Sequence, residues 1–385
     1  MKNSRDTRPH IIIATTAFAP FLGGAEIAVQ ELIKKLTASF RFTIVTARMD
    51  SKLARRDAWE GFDVIRVGCG SKFDKLWLIA VFPWYAWRLK REHGAILVWA
   101  IMASYAGIGA MLADSLGILP YVLTLQEGDD LEGIEKRVRI APRIFKHIFL
   151  RARGIQVIAP FLADWAKKQG ARALPVVIPN GVSSELFSMT SDERAQYRVE
   201  TRTDLGIPDD ARVVLSVSRL VEKNGLGDLI AAIHNLPDVH LLLVGDGELR
   251  GELEECSKAS ALRIHFIGSQ QQTVLKKYYA AADVFCRPAH SEGQGIVFLE
   301  ALQAGLPVVA TRVGGIPSII EDGVHGVLVE PRNVEALTAA IGGVLKNPEG
   351  CAQMVARGKV HVARFNWDII APRIKEWLNN AISLT

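Results

Sequence analysis

Short apolar runs alternate with helical patterns along all 385 residues, and this alternation constrains the fold more than any other feature. A parallel strand covered by helices on both faces is apolar throughout, so each run is predicted to be a buried strand. In the first half the predicted strands are His10–Thr15, Phe42–Ala47, Asp63–Val67, Ala95–Trp99, Tyr121–Leu125, Gly154–Ile158 and Val176–Ile178. In the second half they are Val213–Ser218, His240–Val244, Arg263–Ile267, Val284–Arg287, Val308–Thr311 and Gly326–Val329. The pattern predicts an α/β protein with two Rossmann-like domains and a cleft between them.

A polar stretch, Ser183–Asp210, separates the two sets of runs. It lacks a strand pattern and contains Pro208 and many charges, which is typical of a linker. The predicted organisation is an N-terminal domain over residues 1–185, a linker over 186–210, a C-terminal domain over 211–365 and a final helix over 366–385.

The composition, with 49% hydrophobic and 23% charged residues, is that of an ordinary globular protein. The four cysteines are scattered without metal-ligand spacing, which favours a reduced, cytoplasmic setting over a disulfide framework. The net charge of +5 is uneven: residues 1–185 carry 26 Lys and Arg against 17 Asp and Glu, and the remaining 200 residues carry 20 against 24. The two halves are therefore expected to face different partners.

Two apolar stretches resemble targeting or membrane segments. Residues 11–19 follow basic residues, as in a signal peptide, but the stretch is short and contains two threonines, so it is interpreted as a buried first strand. The uncharged run Gly94–Ala113 has the length of a membrane span. It divides into a predicted strand over Ala95–Ile101 and a helix near Ser104–Leu116, which favours two buried elements.

Two carboxylates in the second half, Glu292 and Glu300, lie eight positions apart. A loop of Gly293, Gln294 and Gly295 follows the first, and a helical pattern carries the second. Glycines let backbone amides approach a ligand, and the helix behind the loop directs its free N–H groups at an anion. Because carboxylates on both sides of an anion can hold hydroxyl groups, the arrangement predicts a site for a sugar nucleotide.

The stretch 283–330 resembles the retaining glycosyltransferases of the GT-B fold, family-four type, in its Glu–seven residues–Glu spacing and in the order of SEGQG, EA, AGLPVV and GGIP. The resemblance covers nearly the whole chain and implies two Rossmann-like domains whose parallel sheets face each other across a cleft. It implies that Glu300 holds the ribose hydroxyls, and that Glu292 and the loop amides as far as Ile296 contact the donor sugar and its phosphate. A structural role, in which Glu292 caps the helix, remains open. The family also places the last helix, 366–385, against the first domain.

A second segment resembles the family motif that supplies the cations for binding the donor diphosphate. Arg219 and Lys223 follow a predicted strand and resemble an Arg and a Lys that grip the diphosphate and stabilise the leaving group. Counted from Arg219, however, the lysine position of the family is occupied by Asn224. Either Lys223 reaches the phosphate from its shifted place, or Asn224 donates a neutral hydrogen bond instead.

Two glycine turns complete the predicted donor site. Gly23 and Gly24 lie between a strand and a helix, which suits a phosphate-facing loop, although a plain turn is the alternative. Gly245, Asp246 and Gly247 resemble a loose dinucleotide fingerprint. No acidic residue ends a following strand, as NAD binding requires. In the family the matching loop lines the nucleotide.

The loop after the predicted strand Tyr121–Leu125 departs from the family. Many relatives have a histidine where this chain has Gln126, and Glu127 and Asp129 lie beside it. Ligands of α/β folds bind at the carboxyl ends of parallel strands. These three side chains are therefore candidates for binding sugar or acceptor hydroxyls, with a solvated turn as the alternative.

No metal or other cofactor is expected. The chain contains no Asp-x-Asp, the metal-binding pair of the other major glycosyltransferase fold. The resembled family is likewise metal-independent. Arg219, Lys223 and helix dipoles would then stabilise the leaving group.

Two basic segments in the first half are candidates for contact with an anionic membrane. Residues 136–153 contain seven Lys and Arg and no acid, and residues 72–91 combine aromatic with basic side chains. Basic amphipathic helices with aromatics are typical of membrane surfaces. Core helices with basic solvent faces fit about equally well, and no nucleic-acid motif accompanies the charge.

The sequence therefore predicts a retaining glycosyltransferase that uses a nucleotide sugar and acts on a lipid-linked or cell-surface glycan precursor. It is expected in the cytoplasm, peripheral to the inner face of the cell membrane. Two alternatives remain open: a non-catalytic protein that binds sugar nucleotides, and a GT-B enzyme for another reaction, such as a sugar-nucleotide epimerase.

Overall fold

The computed structural model describes residues 6–21, 23–259 and 263–384, which form two compact units. The first unit comprises the chain as far as Asn180 together with the segment that begins at Trp367. The second unit comprises Gly181–Asn366. Both are α/β units built on largely parallel sheets, which confirms the predicted fold class.

The first unit contains an eight-stranded sheet in the order β3-β4-β2-β1-β5-β6-β7-β8. Its strands are β1 (His10–Ala14), β2 (Arg41–Ala47), β3 (Arg56–Trp59), β4 (Phe62–Val67), β5 (Ala95–Ile101), β6 (Tyr121–Leu125), β7 (Ile155–Val157) and β8 (Val176–Val177). All neighbours are parallel except β3 and β4. The helices between these strands are α1 (Gly24–Leu36), α2 (Asp74–His93), α3 (Tyr105–Ser115), α4 (Leu131–Arg137), α5 (Pro142–Arg151) and α6 (Pro160–Lys168).

Strand β3 is the strand of this sheet that the sequence pattern missed. Three of its four residues are exposed, and it pairs only with β4 at the edge of the sheet. An exposed edge strand needs no continuous apolar run, so the pattern used for buried strands does not detect it.

Both apolar stretches that resemble targeting or membrane segments supply buried elements of this unit. The first contributes most of β1, which is wholly buried in the middle of the sheet. The second contains β5 and most of α3, as predicted. Within the described residues, no helix combines the length and the apolar character needed to cross a bilayer.

The second unit contains a six-stranded parallel sheet in the order β11-β10-β9-β12-β13-β14. Its strands are β9 (Arg212–Val217), β10 (Val239–Val244), β11 (Ile264–Gly268), β12 (Val284–Arg287), β13 (Val308–Thr311) and β14 (Gly326–Val329). Its helices are α7 (Ser184–Phe187), α8 (Ser191–Asp204), α9 (Leu226–His234), α10 (Arg250–Ala259), α11 (Gln272–Ala281), α12 (Ile296–Gln303), α13 (Val334–Lys346) and α14 (Pro348–Val362).

The segment predicted as a linker, 186–210, is instead folded into the second unit. It contains α8, whose first turn is closed by a capping box between Thr190 and Glu193. Arg202 on α8 is wholly buried, and its Nε donates to the carbonyl of Ala281 at 3.0 Å. This packing was not predictable, because the sequence does not distinguish a buried arginine held by backbone carbonyls from a solvent-exposed one.

The last helix, α15 (Trp367–Ser383), packs within the first unit. Trp377 meets Trp99 edge-on with 6.4 Å between ring centroids, and Lys35 Nζ lies 2.6 Å from the Asp368 carboxylate. The chain therefore leaves the first unit at Asn180 and returns to it at Trp367, about five residues or fewer from the predicted limits.

Candidate active site

The candidate donor site lies at the carboxyl ends of the central strands of the second unit. Strands β10, β9, β12 and β13 are neighbours in the sheet, so the loops that follow them lie side by side. Gly245, after β10, has φ +139°, and a Cβ there would lie 1.9 Å from the carbonyl oxygen of Ser218, after β9. Gly314, after β13, would bring a Cβ to 1.8 Å from the carbonyl oxygen of Glu292. These glycines are required because neighbouring loops meet backbone to backbone.

The carboxylate of Glu292 occupies the loop that precedes α12. Its Oε1 accepts hydrogen bonds from the amides of Gly293 at 2.8 Å and Gln294 at 3.3 Å. Gly295, at φ +87°, then precedes the first helical residue, Ile296. In this state two of the amides assigned to the donor phosphate are bonded to Glu292. The carboxylate thus lies where an incoming anion would meet those amides. Both amides precede α12, so these two bonds hold the loop and do not cap the first turn of the helix.

Glu300 is a buried carboxylate in the second turn of α12. Its Oε2 accepts from the Tyr279 hydroxyl at 2.8 Å, and its Oε1 accepts from the Gln272 amide at 3.3 Å. Burial raises the pKa of Glu300 to about 7, because it disfavours the charged form, while the two hydrogen bonds and Arg287 oppose the rise. Glu300 therefore changes its charge near neutral pH.

Arg287, the last residue of β12, is a site residue that the sequence did not single out. It is buried, its guanidinium forms an ion pair with the Glu292 carboxylate, and it lies 5.1 Å from the centroid of the Phe298 ring. Its charge also acts on Glu300 and Arg219. The signal available in the sequence was a cation that ends an otherwise apolar strand, five positions before Glu292.

Arg219, Lys223 and Asn224 lie close together after β9. Arg219 is exposed, and its carbonyl accepts from the Asn224 side-chain amide at 2.7 Å. Asn224 is buried, so its side chain fixes the Arg219 loop. Lys223 is partly buried in the 3₁₀ turn Glu222–Asn224, and its carbonyl accepts from the His290 amide at 2.7 Å. The loop after β12 is thereby joined to the loop after β9.

The other two residues of the turn after β10 lie next to the same loop. Asp246 is exposed and accepts from the Gly247 amide at 2.8 Å, and its carbonyl accepts from the Leu220 amide at 2.9 Å. A Cβ on Gly247 would lie 2.4 Å from the Leu220 carbonyl oxygen. This turn is therefore held against the segment that carries Arg219.

The predicted residues of the first unit lie at the start of α1 and in the loop that follows β6. Gly23 and Gly24 begin α1, and the Gly23 amide donates to Glu26 at 2.9 Å. Gln126 is buried and accepts from the Asn180 amide at 3.2 Å. Asp129 is more exposed and pairs with Arg137 at 3.2 Å. These contacts order the two loops.

Glu127 is the most constrained acidic residue at the end of β6. It is buried, and its Oε1 accepts from the Ala103 amide at 2.7 Å. Its Oε2 has no hydrogen-bond partner among the described residues. Burial raises the pKa of Glu127 to about 7, partly offset by backbone hydrogen bonds.

Replacing Glu127 by Gln is expected to stabilise the fold at pH 8 by up to about 3 kcal/mol, and to change little at pH 4. The folded-state pKa lies above the unfolded value, so the stabilising contribution of the protonated carboxyl is complete below pH 4.5 and is lost as the pH rises through about 7. Urea unfolding at both pH values measures the difference. Glu132→Gln, an exposed change on α4, is the control. A gain of equal size at both pH values would contradict the assignment.

Metal-ligating side chains do not cluster in the part of the chain that the structure describes: no group of three or more His, Cys, Asp or Glu could hold an ion there. The expectation of metal-independent chemistry remains a prediction.

Two family profiles match the chain. The family described as "Glycosyl transferases group 1" matches residues 198–361, and the one described as "Glycosyl transferase 4-like domain" matches residues 23–181. The first match contains the candidate donor-site residues of the second unit, and the second match lies within the first unit, apart from Gly181.

Individual relatives and a solved structure extend this similarity. The chain is similar to a GDP-mannose-dependent alpha-(1-6)-phosphatidylinositol monomannoside mannosyltransferase of Mycolicibacterium smegmatis, with 29% identity over 380 residues, 93% of this chain and 94% of the relative. It is 31% identical to a D-inositol 3-phosphate glycosyltransferase of Segniliparus rotundus over 285 residues, 69% of this chain and 61% of that protein. Sucrose-phosphate synthase from Thermosynechococcus elongatus has the same fold, with a TM-score of 0.84, 23% identity and coverage of 98% of this chain and 100% of its own.

Proposed function

Because the chain belongs to the group 1 glycosyltransferases and has the GT-B fold, we propose that it transfers a sugar from a nucleoside-diphosphate sugar to a lipid-linked or glycan acceptor. The transfer retains the anomeric configuration and needs no metal ion. The protein works as a peripheral protein at the inner face of the cell membrane, in the synthesis of a cell-envelope glycan.

The observation that carries the donor half of this proposal is the buried carboxylate of Glu300 on α12, the helix that follows the loop after β12. Each carboxylate oxygen accepts one hydrogen bond, from Tyr279 or Gln272, and has a second lone pair for a ligand hydroxyl. A ribose offers two neighbouring hydroxyl donors. The exposed guanidinium of Arg219 supplies charge for the diphosphate.

The reaction then depends mainly on charge. Arg219 and Lys223 stabilise the leaving diphosphate as its negative charge develops, which is the step that a metal ion supports in other enzymes. The departing phosphate takes the proton of the acceptor hydroxyl as that hydroxyl attacks the same face of the sugar. Glu292 holds the sugar in place and does not act as a nucleophile.

Lipid-linked, anionic acceptors fit the first unit best. The mycobacterial relative is named for a phosphatidylinositol monomannoside, and the second relative for an inositol phosphate. Residues 1–185 carry the excess of basic residues that such phosphates attract. A groove of about 830 Å³ along α2 is lined mainly by apolar side chains, including Val67, Trp77 and Trp84, and offers a place for an apolar chain.

The reaction is tested by incubating the protein with GDP-mannose, UDP-sugars and ADP-sugars, with and without a membrane lipid extract. Release of the nucleoside diphosphate that requires both a donor and the lipid supports the proposal. Binding without turnover for every donor would favour the alternative of a non-catalytic sugar-nucleotide-binding protein. Conversion of the donor itself without an acceptor would favour an epimerase.

Of the two basic segments, 72–91 is the better candidate for membrane contact. Its helix α2 exposes Trp77, Trp84 and Trp87 by 57%, 50% and 45%, and Arg88 lies 5.5 Å from the Trp84 ring centroid. Segment 136–153 keeps its phenylalanines buried in α5. Exposed tryptophans beside arginines are typical of the membrane interface.

The double variant Trp77→Ser/Trp84→Ser is expected to lower binding to vesicles of anionic phospholipid by at least about tenfold, since each large apolar side chain contributes about 1.5 kcal/mol or more when buried. Co-sedimentation with vesicles measures this binding. The matched variant Ile140→Ser/Ile144→Ser, which removes exposed apolar groups near and on α5, is expected to change it less. The opposite ranking would assign the membrane contact to segment 136–153.

A further inference from the structure

Two buried arginines of the second unit differ in how their hydrogen bonds are satisfied. Arg202 is a structural arginine, because each of its three guanidinium nitrogens donates to a partner on its own unit. Its acceptors are the carbonyls of Ala281, Pro208, Asp209 and Ala211 and the carboxylate of Asp283, at 2.8–3.2 Å. Such a network joins α8 to the sheet and uses the arginine fully.

Arg287 is buried to a similar degree but lacks such a network. Its Nε has no hydrogen-bond partner among the described residues, and its Nη2 makes the ion pair with Glu292 without an aligned hydrogen bond. A buried donor without a partner costs about 1–3 kcal/mol. A hydrogen-bond network such as that of Arg202 therefore does not explain why an arginine ends β12, and its charge is the property to examine.

The charge of Arg287 acts on both carboxylates of the candidate site. It pairs directly with Glu292, and its guanidinium lies 5.1 Å from the ring centroid of Phe298, two positions before Glu300 on α12, where its charge lowers the pKa of Glu300. The other partners of Glu300 are Tyr279 and Gln272 on α11, which act through neutral hydrogen bonds. Although burial lowers the pKa of Arg287 itself to about 10, the side chain remains a cation at neutral pH.

We propose that Arg287 is the shared counter-ion of Glu292 and Glu300, a positioning residue that orients the first carboxylate and supplies positive charge to the second, which binds the hydroxyls of the nucleotide sugar. This inference rests on the proposed function for its donor. The effect of the Arg287 charge on Glu300 does not require a bound donor. The charge effect and the positioning of the donor can therefore be tested separately.

The charge coupling is tested without any ligand. Infrared difference spectra, with Glu300→Gln used to assign the band, follow the protonated carboxyl of Glu300 from pH 5 to 9. Arg287→Met is expected to move the titration midpoint upward by about one pH unit, because an opposite charge that favours ionisation has been removed. Arg287→Lys keeps a cation and is expected to restore most of the original midpoint. An unchanged midpoint in Arg287→Met would overturn the proposal.

Donor positioning is tested with the nucleotide sugar that the wild-type protein binds most tightly in the panel. A rise of one pH unit from about 7 would leave about a tenth of Glu300 ionised at pH 7 instead of half, so affinity should fall about fivefold. The loss should become smaller at pH 9, where Glu300 ionises in both proteins. A merely structural role for Arg287 would give a loss that does not depend on pH.

A matched control lies at the other end of the same strand. Arg198 pairs with Asp283 at 2.8 Å, just before β12 begins, so Arg198→Met also removes an arginine–carboxylate pair. It is expected to leave the Glu300 titration unchanged.

If Arg287→Met does not fold, Arg287→Lys and Arg287→Gln provide the same comparison. The Gln variant is expected to raise the titration midpoint of Glu300, and the Lys variant is not. A shifted midpoint with unchanged donor affinity at pH 7 would overturn the donor role. Absence of donor binding by the wild type would instead overturn the proposed function.

Discussion

Replacing Glu300 by Gln is expected to weaken the binding of a nucleotide sugar by about 100-fold at pH 8. The carboxylate has a free lone pair on each oxygen, and hydrogen bonds to a charged group contribute about 1.5–3 kcal/mol each. The amide keeps the size of the side chain and one acceptor oxygen, so Gln removes the charge and the second acceptor oxygen but leaves the packing of α12 unchanged. Calorimetric titration at pH 6, 7 and 8 measures the affinity.

The wild-type protein should bind its donor more tightly as the pH rises from 6 to 8, because the pKa of Glu300 is raised to about 7 and the ionised form is the better acceptor. The Gln variant should lose this part of the pH dependence. Its fold should be at least as stable at pH 8, since a carboxyl with a raised pKa contributes stability that is complete below pH 4.5 and is lost as the pH rises through about 7. Lost binding would therefore not reflect unfolding.

Glu335→Gln provides the matched control, because it makes the same chemical change on an exposed residue in the first turn of α13. It should leave donor affinity and its pH dependence unchanged. Equal affinity of the wild-type protein and Glu300→Gln would remove Glu300 from the donor site.

Buried strands were predictable because their signal is local. Every predicted run of the second half became a strand within about two residues of its expected limits, and each strand is apolar over most of its length. Strand β3 was not predicted although its partner β4 follows it directly, because an exposed edge strand has no apolar run. Helix α8 was not predicted because its packing depends on partners elsewhere in the chain, and for Arg202 these include Asp283, which lies 81 residues later.

The candidate site was likewise predictable only in part from local sequence. Spacing located Glu292, Glu300 and the loop between them, but it did not decide how the carboxylates are held. The hydroxyl that bonds Glu300 comes from Tyr279 on another helix, and the counter-ion of Glu292 comes from the end of β12. Neither partner belongs to the motif. Burial, which determines the pKa of Glu300, is likewise a property of the packed unit.

The structure also distinguishes the roles of Lys223 and Asn224 in the shifted lysine motif. The sequence left open whether Lys223 or Asn224 serves the phosphate. The side chain of Asn224 is buried and donates to the carbonyl of Arg219, so its observed bond is to the loop. Asn224 therefore supports the arginine, and in the proposed function the charge for the diphosphate comes from Arg219 and Lys223.

Removing the Arg219 guanidinium is expected to have the second large effect, a fall in kcat of about 100- to 1,000-fold in Arg219→Met. A charge that stabilises the leaving group acts more strongly in the transition state than in the bound donor, so kcat should fall more than donor affinity. The thermal midpoint of unfolding should change little, because the side chain is exposed and the Asn224 contact is made to the backbone. Steady-state release of the nucleoside diphosphate, together with direct binding of the donor, separates the two quantities.

The control and the companion variant determine how this result is interpreted. Arg263→Met removes another exposed arginine, before β11, and should leave kcat unchanged, which excludes a general effect of net charge. Lys223→Met should lower kcat less than Arg219→Met, because an ammonium cannot bind the diphosphate in a bidentate manner. If Arg219→Met weakened donor binding and left kcat unchanged, the arginine would bind the donor in its ground state. Charge stabilisation of the leaving group would then have to come from Lys223 and the helix dipole of α12.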